Sequence, residues 1–388
     1  MRETQNILVI GNGFDLYHGR KTAYMDFVRC VEDAFAMKKE ERGPFETRLT
    51  ELCNVNGFFR HFHFTLSDDP SWSYFDREMG KITDALIRFQ DVVLEKQKDP
   101  EYDLISYNII GGQFTYGDLQ IYKHFARIFE QIFDDPSGGL YKIRQQYITP
   151  EKQLNKKAVV DEVRRELDSF TEALDLYLTT CAVCGADASA SAEHTLGAAG
   201  ASASAENVPD AAHRFYGAAF AEDTGIRSPQ VEAIRPDYVI NFNFTDTVKL
   251  YGIPEDHIYY AKGRAGSEPV NLVLGSLDET EEHPEWICMK IYFRKLMNFT
   301  GMPERVRIHP ADSGGDEIPA VLHFFGYSFP EQDDELIRLL FEGKKTAVVY
   351  YKDREDYAYK MLQLIRLFGK ETFLDMLYGG VLTFLAAA

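Results

Sequence analysis

Hydrophobic positions along the chain follow two different periods. Ile7 to Ile10 form a continuous apolar run that stops at Gly11-Asn12-Gly13, the pattern of a short strand buried on both faces of a parallel sheet. The period then lengthens. Within Ala23–Met37, Tyr24, Phe27, Val28, Val31, Ala34 and Phe35 recur at helical spacing, and the same spacing returns over Phe75–Leu94, Leu119–Phe133 and Val159–Leu178. These segments predict a helical block of about 150 residues. From Cys181 to Arg214 the chain becomes an Ala/Ser/Gly-rich stretch with too little bulky apolar surface to offset its ordering entropy, so a mobile linker is expected there.

Beyond that stretch, short β-rich runs return. "DYVINFNFTD", "HIYYAKG", "VNLVLGS", "AVLHFFGYS" and "TAVVYYKD" each end in Gly, Asn, Ser or Asp, and helical spacing at Leu336, Ile337, Leu339, Leu340 and Phe341 separates the last two. The chain therefore reads as an α/β core split by a helical middle. In open parallel sheets a ligand sits beyond the carboxyl ends of the strands. Here those tips are Gly11-Asn12-Gly13, Asn241 to Asp246, Lys262-Gly263, Gly275-Ser276 and Gly326-Tyr327-Ser328. Small and amide-bearing residues at every tip let a ligand approach the backbone, although any one tip alone equally describes a plain tight turn.

Composition narrows the partners. The 388 residues leave room for two or three domains of about 150 residues, and 45% hydrophobic content supplies a core. With 42 Lys plus Arg against 61 Asp plus Glu, a net charge of −19 disfavours nucleic acid and anionic lipid as partners. The opening MRETQN is polar where a signal peptide is apolar, and no run approaches the roughly 18 apolar residues of a membrane helix, so a cytoplasmic protein is expected. Five cysteines, an odd and sparse set, suit reduced thiols.

Several of these segments also carry a resemblance. "ILVIGNGFDLYHG", "INFNFTDTVKLY" at Ile240–Tyr251, "VLGSLDE" at Val273–Glu279 and "FFGYSFPEQDDELI" at Phe324–Ile337 resemble, in the same order, the signature segments of the bacterial abortive-infection AbiH family. "WSYFDREM", with Trp72 and Asp76, is similar to the tryptophan-plus-acid helix of that family's insertion. The resemblance implies a role in phage defence and a Rossmann-like parallel sheet split by a large helical insertion. Its parts would be a first strand and glycine loop in 1–20, the helical insertion in 21–180, the linker in 181–228, and the rest of the core with C-terminal helices in 229–388.

More distantly, the same tips are similar to sirtuin-like defence domains that degrade NAD through an asparagine after one strand and a histidine before a glycine after the next. Asn243 stands at that asparagine. Thr245 replaces the aspartate of the sirtuin-like pattern, as the AbiH pattern expects, and Asp246 follows it. Lys262 occupies the place where both families usually have histidine, and Tyr327 replaces the histidine common in the last AbiH motif. A protonated lysine clamps a phosphate but is a poor general base. The resemblance thus implies Asn243, Asp246 and Lys262 as catalytic candidates. The strand-end positions and the resemblance together place Gly11, Asn12, Gly13, Asp15, Asn241, Gly263, Gly275, Gly326, Tyr327 and Ser328 around NAD or a related nucleotide, and no metal is expected.

Plainer readings stand beside these. Asp15, just after a glycine turn, is expected to cap a helix rather than to hold a ribose hydroxyl or metal, and Asp333, with Asp334 and Glu335, is likewise expected to cap. Asn241 and Asn243 alternate at a strand end, one to serve the ligand and the other to hold the loop. His61 and His63 would share one face of a strand, but no further ligand cluster follows them. Cys181 and Cys184 form a lone CxxC without a second pair. His18 is the histidine nearest the first glycine loop and a minor candidate base.

Two functions remain open at this level. One is a nucleotide-binding or sensing protein, answering to a phage-derived trigger and self-associating through the helical block; the other is an NAD glycohydrolase. Deleting Ala186–Glu206 is expected to leave the melting temperature nearly unchanged, because such a segment supplies few core contacts. A loss of several degrees in a thermal melt would show that it packs.

Overall fold

The computed structural model describes residues 4–64, 72–96, 129–134, 142–182, 228–276, 283–298, 300, 318–343 and 345–387. The expected linker therefore lies almost wholly outside the described residues, as do most of Leu119–Phe133 and Cys184. The same holds for the side chains of His63, Trp72 and Asp76. Two compact units share the chain. Met1–Ala23, Tyr177–Leu272 and Asn298–Ala388 make the first, and Tyr24–Leu176 with Val273–Met297 make the second.

The first unit is built on β1 (Gln5–Ile10), β4 (Tyr238–Asn241), β5 (Ile258–Tyr260), β6 (Ala320–Phe325), β7 (Lys345–Tyr351) and β8 (Leu382–Ala386). They form one parallel sheet in the order β5-β4-β1-β6-β7-β8. Counted in chain order within the sheet, this is 3-2-1-4-5-6, the order of the Rossmann fold, with its switch point between β1 and β6. The continuous apolar run of β1 follows from that central place. A strand sends alternate side chains to opposite faces, so Ile7 and Val9 join Leu322 and Phe324 on one face, while Leu8 and Ile10 join Val239 and Phe325 on the other. Ile10 pairs with Asn241 on one side and Phe325 on the other, which brings the carboxyl ends of the three strands level.

The second unit carries helices Tyr24–Ala36, Trp72–Lys96 and Lys156–Tyr177, where helical spacing predicts them, and a small antiparallel pair, β2 (Phe133–Asp134) with β3 (Lys142–Ile143). Phe27 packs edge-on to Phe170 with ring centroids 5.5 Å apart. His61 lies on helix Gly57–Phe64, not on a strand, and its Nε2 is 3.1 Å from Glu78. No described helix is long and apolar enough to cross a membrane.

Two sequence expectations fail in the sheet. "VNLVLGS" adds no strand: Leu272 to Leu274 are buried, but Ser276 makes only an isolated bridge to Lys290. A short apolar run signals burial without specifying a ladder partner. Conversely, β8 was not anticipated, since as an edge strand it has only one fully buried residue, Leu382. Leu8 is fully buried on the central strand, whereas Leu385 on β8 is 46% exposed. Leu8→Ala is expected to cost about 2–5 kcal/mol in urea unfolding and Leu385→Ala well under that; equal costs would contradict the central placement of β1.

Candidate functional site

The loops after β1 and β6 meet backbone to backbone. Gly13 N–H donates to the Gly326 carbonyl oxygen at 2.9 Å, and Gly11 N–H donates to that of Phe325 at 3.4 Å. A Cβ on Gly11 would lie 2.8 Å from the Gly326 oxygen, and one on Gly326, whose φ is +62°, would lie 2.1 Å from Phe14 N. Only bare backbone fits here.

After β4, the two asparagines divide their work. Asn241 Oδ1 accepts from Asn243 N–H at 2.8 Å and its Nδ2 donates to the Thr245 carbonyl at 2.8 Å, so this side chain holds its own loop. Asn243 reaches across instead: its Nδ2 donates to the Gly11 carbonyl at 2.9 Å. Its Oδ1 has no hydrogen-bond partner among the described residues.

Asp15 does not cap. Gly11 takes the N-cap place of helix Asn12–Tyr17, which puts Asp15 on the fourth helical position with its side chain turned inward. Oδ2 accepts from Thr245 Oγ1 at 2.6 Å, while Oδ1 is buried without a partner. Burial pushes this carboxyl up to about 6, even though the hydrogen bond from Thr245, the nearby Thr247 and Thr22 hydroxyls and the charge of Arg20 pull the other way. Asn12 lies beside it, its Oδ1 accepting from Thr22 Oγ1 at 2.7 Å.

Asp333 does not cap either. It is buried, and its Oδ2 accepts from Tyr327 OH at 3.0 Å and lies 3.4 Å from Lys262 Nζ. The two residues that stand where the resemblance expects histidines thus converge on one carboxylate. The Tyr327 ring packs 4.6 Å from that of Phe242 and 5.1 Å from that of Phe329. Phe329 has φ +55°, a left-handed conformation that costs a bulky residue about 1–3 kcal/mol. Its buried ring and the bond from Arg366 Nη2 to its carbonyl, 3.2 Å, hold it there, and Arg366 is itself bidentate to Asp334.

The remaining candidates fall elsewhere. Asp246 is engaged by Tyr260 OH on one oxygen and by Arg264 and Lys249 on the other, in an ion network that includes Glu255. Gly263, with φ +87°, serves close backbone approach, since a Cβ there would sit 2.1 Å from the Asn271 carbonyl oxygen. Gly275 belongs to the second unit and packs against the Met289 carbonyl. Ser328 is partly buried, and its hydroxyl has no partner among the described residues.

His18 is engaged structurally. Its Nδ1 lies 2.7 Å from the Phe14 carbonyl, which can only accept, and its Nε2 lies 2.7 Å from Tyr251 OH. That hydroxyl accepts from Ser228 N–H, so the arrangement that satisfies every group has Tyr251 donating to Nε2. Among the described residues, no three His, Cys, Asp or Glu side chains gather as metal ligands. Sequence reasoning missed the inward roles of Thr22 and Tyr251, which no local pattern marks.

Comparison with known proteins adds one finding. The family model for Bacteriophage abortive infection AbiH matches residues 7–365. No curated protein and no solved structure matches the chain.

Because Asp15 is raised from 3.8 to about 6 on folding, the stability tied to its protonated form is complete below pH 3.8 and is lost as pH rises through 6. The shift corresponds to about 3 kcal/mol. Asp15→Asn, which keeps an acceptor for Thr245 without the charge, is expected to stabilise the protein by up to that amount in urea unfolding at pH 8 and to change it little at pH 4. An equal effect at both pH values would refute the assignment.

Proposed function

The chain belongs to the bacteriophage abortive infection AbiH family, and from that premise we propose that the crevice at the β1–β6 switch point binds a nucleotide whose presence the protein senses during infection. The family ties the chain to phage abortive infection. The observation that carries the nucleotide reading is Asn243: its carboxamide is anchored on Gly11 by Nδ2 and keeps Oδ1 open, where this strand order brings ligands. Such an acceptor suits ribose hydroxyls and base or amide N–H groups. A phage-derived trigger, self-association and a cytoplasmic setting belong to the same proposal.

NAD glycohydrolysis is the second reading. Asn243 favours it, because it stands where the sirtuin-like pattern has its asparagine and its Oδ1 has no partner among the described residues. Lys262 and Tyr327 weigh against it, since both are committed to Asp333 and neither is placed to act as a base. No metal enters either reading.

Calorimetry with ADP-ribose is expected to show binding that Asn243→Ala weakens about fivefold to tenfold, the effect of one hydrogen bond. Equal affinity of wild type and variant would put the ligand elsewhere. For the second reading the measurement is nicotinamide release from NAD, which Asn243→Ala would slow about a hundredfold; no release from wild type would rule that reading out.

A further inference from the structure

The loop tips around the switch point bind one another across it. Gly13 N–H, a donor that a ligand in the crevice would draw on, is already bonded to Gly326. Lys262 and Asp333 add a second tie with a longer span. β5 is separated from β6 by β4 and β1, three spacings of about 4.8 Å, or roughly 14 Å between strand axes. Lys262 nevertheless places Nζ 3.4 Å from Asp333 Oδ2, so the ion pair straddles the switch point from one half of the sheet to the other. The rings of Phe242 and Tyr327 pack against each other, tilted by 43°.

The segment that closes the crevice is also the one under tension. Gly326 and Phe329 both have left-handed backbones, and only the glycine adopts that conformation without strain. Contacts hold the segment in place: Tyr327 on Asp333, and Arg366 on Asp334 and on the Phe329 carbonyl. These polar contacts, with the buried rings of Tyr327 and Phe329, oppose the release of the strain at Phe329.

We propose that Gly326–Asp333 is an intramolecular plug, latched by the Lys262–Asp333 ion pair, that competes with the ligand for the glycine-loop amides. This deepens the nucleotide reading and rests on it. The latch keeps the site shut, and the event that breaks it opens the site.

The test pairs two variants with two measurements on the full chain. Asp333→Asn removes the charge that holds Lys262 yet keeps an acceptor for Tyr327. Gly326→Ala drives a methyl toward Phe14 N and wedges the tips apart, and Asp333→Asn carries the test where that wedge prevents folding. Hydrogen exchange at the Gly13 amide is expected to quicken at least tenfold in Asp333→Asn, and ADP-ribose to bind at least tenfold more tightly than to wild type by calorimetry.

Unchanged exchange overturns the plug whatever binds. Faster exchange with equal ADP-ribose affinity in both proteins overturns it as well, because the contact then gates nothing. Faster exchange with ADP-ribose bound by neither protein overturns the plug together with the nucleotide reading, whereas unchanged exchange with ADP-ribose bound overturns the plug alone.

Discussion

The hydrogen bond from Gly13 to Gly326 requires two bare backbones to lie side by side, and much of the first unit is arranged around that requirement. It sets β1 against β6 at their carboxyl ends and directs Phe14 into the cluster with Ile10 and Phe325. It also fixes the glycines, since a side chain on either partner would push the tips apart. Their function is first to permit contact between loops, and only through that contact to shape a site.

Two carboxylates sit around this junction in unlike surroundings. Asp15 is held by the Thr245 hydroxyl and has no cation in hydrogen-bond contact among the described residues, so burial raises its proton affinity. Asp333 meets a lysine and a tyrosine. An uncompensated buried charge is destabilising and a compensated one is directional. The first unit thus holds one acid whose charge is sensitive to its surroundings beside another that acts as a mechanical tie.

The sequence made the core legible where the signal is local. The run Ile7–Ile10 before Gly11 announces a central strand, and helical spacing announces the long helices. Asp15 and Asp333 were misread because an acid near a helix start obeys a short-range capping rule, whereas Asp15 finds its partner, Thr245, 230 positions away. "VNLVLGS" was misread as a strand because burial and ladder pairing leave the same apolar trace, and β8 was missed because an edge strand need not be apolar on both faces. Asn241 and Asn243 were read as dividing ligand and loop duties, but only the geometry assigns the loop to Asn241.

The long separation in sequence between β1 and its partners has a consequence for biosynthesis. Asn6 N–H is bonded to Asp237, 231 residues further on, and the strand's other neighbour is made later still. At translation rates of roughly 5–20 residues per second, this central strand waits on the order of ten to fifty seconds for its first partner. During that interval Ile7 to Ile10 form an unpaired hydrophobic segment on a nascent chain. The sheet closes only when the segments on either side of β1 have been made, so its central strand is the first to be exposed and among the last to be covered.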